Sequence, residues 1–206
     1  MMSKNLRETT TEHLNGLCQT MAQDLSVYFT DSGREEYEEF LNMMYHYTLK
    51  SGDRLRIAAE TAVQPQLKQL FRELAEEEQY HYRLAQSDLI SMGNKPSTLS
   101  PPQPLAFHDY WMSISANNQF EYVGALYVLE NIASYIKPYL LPHFTRLALQ
   151  PSQLKFIMTH LVADEDHGQR IQELSDLAQG VEIEQVLNGG LQAQKFWMDI
   201  HIASLA

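Results

Sequence analysis

The sequence predicts an all-α helical bundle. Apolar residues recur at helical spacing through most of the chain, and alternating β-branched runs with Asn-Gly or Asp-Gly turns are nearly absent. With 206 residues, 44% hydrophobic and 20% charged, the length suits a single domain spanning 1–206 with a substantial core.

The first helix is expected from about Lys4 to Val27, ended by the polar Thr30-Asp-Ser-Gly33 turn. A second runs from about Glu35 to Lys50, and Ser51-Gly-Asp opens a third that ends near Val63. Pro65 suits the first turn of a long fourth helix reaching about Met92, stopped by Gly93-Asn94. Four prolines between Lys95 and Pro104 form the clearest break, read as a loop within one domain. Helices follow near Ala106–Ala116, Gln119–Ile136, Pro138–Ala148, Pro151–Leu177 and Ile183–Ser204. Pro138 and Pro142 mark a kink or break between the sixth and seventh.

Composition excludes several function classes. There is no apolar run of membrane-spanning length and no apolar leader at the N-terminus. The single cysteine, Cys18, rules out an intramolecular disulfide and fits a reducing cytoplasm. A net charge of −11 argues against nucleic-acid or anionic-membrane partners.

The stretch His160-Leu-Val-Ala-Asp164-Glu-Asp-His167 carries the most chemistry. At ~100° per residue, Asp164 and His167 lie within about 40° of His160 on a helix. Ile157, Ile171 and Leu174 continue that stripe, so two imidazoles and a carboxylate point toward a core, where a metal ion is the natural partner. The bland reading is a hydrogen-bonded core network of His and Asp. Glu165 and Asp166 should face solvent.

Two other helices place charge on an apolar face. Glu78 and His81 interrupt the stripe Leu67, Phe71, Leu74, Ala85, Leu89, and Glu-x-x-His lets one helix offer two ligands inside a bundle. Glu77 is an alternative to Glu78, and a solvated acidic run is the alternative to both. Glu130 lies on a face with Phe120, Val123, Tyr127 and Ser134, and a buried salt bridge to an arginine is the competing explanation. The combined inventory is Glu78, His81, Glu130, His160, Asp164 and His167. Nitrogen and oxygen donors without thiolates point to iron or manganese. His160 and His167 stand ~10 Å apart along the axis, which suits two ions.

Glu77-Glu-Gln-Tyr-His81, Gly124-Ala-Leu-Tyr-Val-Leu-Glu130 and His160-x-x-x-Asp164-x-x-His167 together resemble the haem-oxygenase-like di-iron oxidases and oxygenases. This is the iron-containing redox enzyme group, in the superfamily that also holds thiaminase-like and pyrroloquinoline-quinone-synthase-like proteins. The resemblance runs from about Tyr37 to the C-terminus. It implies a haem-oxygenase-like bundle of about seven to nine helices, with those six residues holding two iron ions (or a Mn/Fe pair). It further implies O2 as co-substrate and a small organic substrate, with a homodimer left open. One family variant puts the first glutamate seven residues before its histidine, where this chain has Leu74. Ferritin-like bundles use Glu-x-x-His twice, unlike the His-x-x-x-Asp-x-x-His here.

Alternatives from the same superfamily are weighed on single residues. Leu6-Arg-Glu-x-x-x-x-His13 faintly resembles the region that carries the proximal ligand of haem oxygenases, but Asn131-Ile-Ala-Ser lacks the glycines of their distal helix, which favours a surface or capping role for His13. Cys18 would have to be the nucleophile of a thiaminase-like protein. A third possibility is a metal-free helical module that binds haem or another small molecule in the same pocket. Tyr45, His46, Tyr80, Tyr122 and Tyr127 are candidates for the pocket lining. His108, His143 and His201 are read as surface or structural residues.

Overall fold

The computed structural model describes residues 2–205, with side chains described for 8–162 and 166–205. Among them are nine α-helices and no strand: α1 (Met2–Asp31), α2 (Arg34–Thr48), α3 (Ser51–Thr61), α4 (Pro65–Glu78), α5 (Tyr82–Ser91), α6 (Pro102–Ser115), α7 (Gln119–Arg146), α8 (Lys155–Ser175) and α9 (Val181–Leu205). The all-α expectation holds, and the boundaries differ in two instructive places.

The expected fourth helix is two helices. After Glu78 the backbone tightens into i→i+3 bonds, His81 N–H to Glu78 O at 3.2 Å and Leu84 N–H to His81 O at 2.9 Å. A 3₁₀-like interruption inside a helix often lies at a functional position. Gly52 of α3 rests directly on it: a Cβ there would lie 2.8 Å from Cβ of Gln79.

Conversely, the expected sixth and seventh helices are one. Pro138 and Pro142 lie inside α7 without breaking it. Both are exposed and four residues apart, so the lost N–H groups belong to the solvent side, where water satisfies the freed carbonyls. The inner side carries Ile132, Ile136, Leu140 and Phe144, all buried. Asn118 caps the start, its side chain accepting the Glu121 N–H at 3.2 Å.

Helix α7 is the central post, packed on α1, α8 and α9. Its crossing with α9 is interlocked by two glycines. A Cβ on Gly124 would sit 1.9 Å from the Val186 carbonyl oxygen, and one on Gly189 would sit 2.0 Å from that of Glu121. Helices α2, α5 and α6 pack on the outside of this group, and α3 and α4 pair beside them. The buried residues form one contiguous cluster.

Candidate metal centre

Three elements converge on the centre: the α4–α5 break, the middle of α7 and the first half of α8. At the break, Glu78 Oε2 lies 2.7 Å from His81 Nδ1. That same nitrogen is 3.2 Å from His160 Nε2 of α8. One donor atom from each of Glu78, His81 and His160 thus falls within 4.8 Å of the others.

A second group adjoins it. His167, 4% exposed, directs Nδ1 to Glu130 Oε2 at 3.1 Å and Nε2 to Glu77 Oε2 at 2.6 Å. Helices α7 and α8 come close enough for this because Gly168 faces Asn131; a Cβ there would lie 2.6 Å from the Asn131 Oδ1. Asp164 lies on α8 between the two histidines, but its side chain is outside the described residues.

Glu77 and Glu78 are therefore not interchangeable: Glu78 meets His81 and Glu77 meets His167. Arg170 steadies Glu77, with Nη1 3.6 Å from its carboxylate, and also pairs with Glu73. No arginine pairs with Glu130 among the described residues; its partner is His167. Asp166 is exposed, as its register required.

The donor set fits a cation. His160 Nδ1 lies 2.7 Å from the Phe156 carbonyl, so Nδ1 carries the proton and Nε2 keeps its lone pair toward the centre. Ligands of one ion with ~2.1 Å bonds stand about 3 Å apart, close to the spacings found here. The carboxylates also call for positive charge. Burial opposes charge on Glu78, yet the hydrogen bond from His81 and the neighbouring imidazoles hold its carboxyl below the usual range. Burial likewise disfavours a charged His167, but Glu130, then Glu77, outweigh it and push the imidazole up to about 9. Protons on histidines supply what a metal ion would.

Glu78, Glu130 and His160 open onto an internal cavity of about 110 Å3, room for several waters or a small organic molecule. One face of α7 lines its length: Tyr122, Leu126, Leu129, Glu130, Ala133, Ile136, Leu140 and His143. Glu130 belongs to this face rather than to the expected Tyr127–Ser134 face, since Ser134 is exposed. Among the five residues expected to line the pocket, only Tyr122 does so. Tyr80 is exposed. Tyr127 instead bonds Asn15 at 3.0 Å, His46 bonds Ser97 at 2.9 Å, and Tyr45 packs on Tyr82.

Sequence reasoning missed Tyr47, Arg54, Trp197, His143 and His201, which do line the cavity. His143 and His201 are buried, not at the surface, and complete burial pushes His201 down to about 4. Their neighbours at i±3 and i±4, such as Leu140 and Trp197, were the available signal.

The single-residue alternatives fare poorly. Cys18 is fully buried against the Val128 carbonyl at 3.6 Å, and burial pushes its thiol up to about 12, far from a nucleophile. His13 is exposed and does not line the cavity.

No helix among the described residues is long and apolar enough to cross a membrane. No curated protein matches the sequence. Among solved structures, a domain of unknown function with a heme oxygenase-like fold from Shewanella denitrificans aligns at TM-score 0.81 and 19% identity, over 98% of this chain and 90% of that one. A TenA homologue from P. horikoshii aligns at 0.73 and 14%, over 100% and 98%. A CadD-like protein of unknown function from Nostoc punctiforme aligns at 0.72 and 13%, over 100% of both chains. At these identities the likeness concerns the fold. Residues 38–198 match the family model described as iron-containing redox enzyme, and with that stretch covering most of its length the chain belongs to this family.

Proposed function

We propose that this protein is a non-haem di-iron oxidase or oxygenase that uses O2 on a small organic substrate held in the cavity. The observation that carries this is the pairing of two donor groups, Glu78–His81–His160 and Glu130–His167, of which Glu78, Glu130 and His160 lie on the wall of one cavity. Asp164, one turn from each histidine in the sequence of α8, is the further ligand that the family resemblance implies.

Iron bound there supplies the electrons and open coordination positions that O2 activation needs. The chain does the rest. Phe156 O fixes the His160 tautomer. His167 Nδ1 faces Glu130, which lines the cavity, and Nε2 faces Glu77, which does not; Glu130 and His167 would therefore hold iron together, with Glu77 as the carboxylate that orients the imidazole. The apolar wall from Ile132 to Leu140 keeps bulk water from the reacting groups.

An anaerobic Fe(II) titration of the metal-free full chain tests the reading. About two ions should bind per chain, and admission of O2 should change the visible spectrum. The His160→Ala, His167→Ala double variant should keep its helical circular dichroism and lose both ions. Failure of the parent chain to bind iron specifically would overturn the proposal.

A further inference from the structure

At one end of the cavity a buried guanidinium without a counter-charge lies beside two polar side-chain atoms that have no hydrogen-bond partner. Arg54 of α3 is 5% exposed, and its guanidinium lies 4.6 Å from the Tyr47 ring centre and 5.1 Å from that of Trp111. Nη1 donates to the Tyr47 carbonyl at 3.0 Å. Among the described residues Arg54 has no ion-pair partner. Beside it, the Trp111 Nε1 and the Tyr122 hydroxyl are buried with no hydrogen-bond partner. The Tyr122 hydroxyl is near the guanidinium, and Trp111 Nε1 is near the Tyr47 hydroxyl. Neither pair reaches hydrogen-bond geometry.

A guanidinium and an indole only donate, and a buried cation without a counter-charge is costly. The metal-centre carboxylates do not answer this need, because Glu78 and Glu130 already pair with His81 and His167. What would satisfy the cluster is an anionic acceptor arriving from the cavity, which Arg54, Tyr47 and Tyr122 all line. Along α7, Tyr122 precedes Glu130 by about 12 Å at 1.5 Å per residue. Beyond Glu130 the same wall is Ile132, Ala133, Ile136 and Leu140, and it ends at His143. The cavity therefore has a cationic, donor-rich part, then the metal-centre carboxylates, then an apolar length.

We propose that Arg54, with Tyr122, binds the carboxylate of an apolar organic acid whose hydrocarbon body extends along α7 past Glu78, Glu130 and His160, while Trp111 backs the guanidinium from behind the cavity wall. A planar guanidinium suits a carboxylate, which accepts two parallel bonds from it. The inference names the substrate class of the oxygenase proposed above and rests on that reading for the reaction. The carboxylate site itself requires no iron.

The test is isothermal titration of the metal-free full chain with 3-phenylpropanoate and hexanoate, each against its primary amide. The acids should bind at least about tenfold tighter than amides of the same shape, as expected for a charge-assisted contact. The Trp111 indole N–H resonance, identified by its absence in Trp111→Phe, should shift on adding acid. Tyr122→Phe removes a hydroxyl with no protein partner, so it should fold normally and weaken acid binding only. Arg54→Gln should erase the preference for acid over amide, and Arg54→Lys should keep part of it.

Equal affinity for acid and amide, or no acid binding at all, overturns the proposal. So does acid binding that needs added metal, survives Arg54→Gln and is lost in His160→Ala; the metal reading would then stand alone. Acid binding through Arg54 in a chain that binds no iron supports this site and overturns the di-iron reading instead.

Discussion

Glu77 and Glu78 occupy adjacent positions, and each meets a different imidazole. Their substitutions should separate the two roles. Glu77→Gln should weaken iron affinity about 10–100-fold, the usual effect of losing a carboxylate behind a ligand, with stoichiometry unchanged. Glu78→Gln should lower the number of ions bound. The reverse pattern would mean that His167 ligates through Nε2 and that Glu77 is the ligand. The sequence left the choice open because both glutamates lie within a turn of His81, and only the break in the helix separates their directions.

Two buried titratable groups should leave opposite marks on stability. His201, pushed down to about 4 by burial, binds its proton more weakly when folded than when unfolded. Its contribution to stability is full above pH ~6.5 and is lost as pH falls toward 4. Asp88 is pushed up to about 6 by burial. Its folded state holds the proton more tightly, so its contribution favours the fold at low pH and declines as pH rises from about 4 to 6. His201→Gln should remove a positive slope of up to about 1.4 kcal/mol per pH unit. Asp88→Asn should remove a negative one. Urea titrations across pH 4 to 7 would check both signs, and a variant profile parallel to the parent would refute the assignment.

At the scale of elements, the α7–α9 crossing is the least forgiving contact. A methyl group added at Gly124 would collide with the backbone of Val186, not with a movable side chain. Gly124→Ala should therefore destabilise by about 3 kcal/mol or more, at the upper end for overpacking. Gly16→Ala, where nothing lies within 4 Å of the added atom, should be neutral or mildly stabilising. A thermal melt of the pair would distinguish a steric effect from loss of a generic glycine.

Helix existence was legible from apolar spacing, because α1 to α9 each bury a stripe against neighbours. Helix continuity was not. Pro138 and Pro142 look like breakers until their common exposed side is known, and the Gln79–His81 interruption lacks any proline or glycine of its own. It packs closely on α3 at Gly52, a contact that no local pattern encodes. Glu78, His81, Glu130, His160 and His167 stood out as candidates because charge on an apolar stripe is conspicuous, and the fold brings these five close together. Arg54 was missed because an arginine on a short polar helix, two residues from the exposed Arg56, looks like surface until Trp111 and Tyr47 enclose it.

Over the whole molecule, solved structures at 13% and 19% identity share the same helical frame. Such divergence is expected where packing demands only apolar volume at given positions, while chemistry is set by a few side chains on that frame. The iron-containing redox enzyme family and the TenA homologues share a scaffold in this sense. In this chain the distinguishing groups lie on the wall of one cavity rather than on the outer surface.

The tightened turn between α4 and α5 also has a consequence in time. Its backbone bonds are i→i+3 contacts, weaker than those of the helices on either side. Opening one turn would carry His81 away from Glu78 and His160 while α7 and α8 stay packed. Amide hydrogens of residues 79–84 should therefore exchange faster than their helical neighbours in the metal-free chain, by local opening rather than global unfolding. Saturating Fe(II) should slow them selectively, because a cation tied to both His81 and His160 bolts the loose turn to the rigid helix.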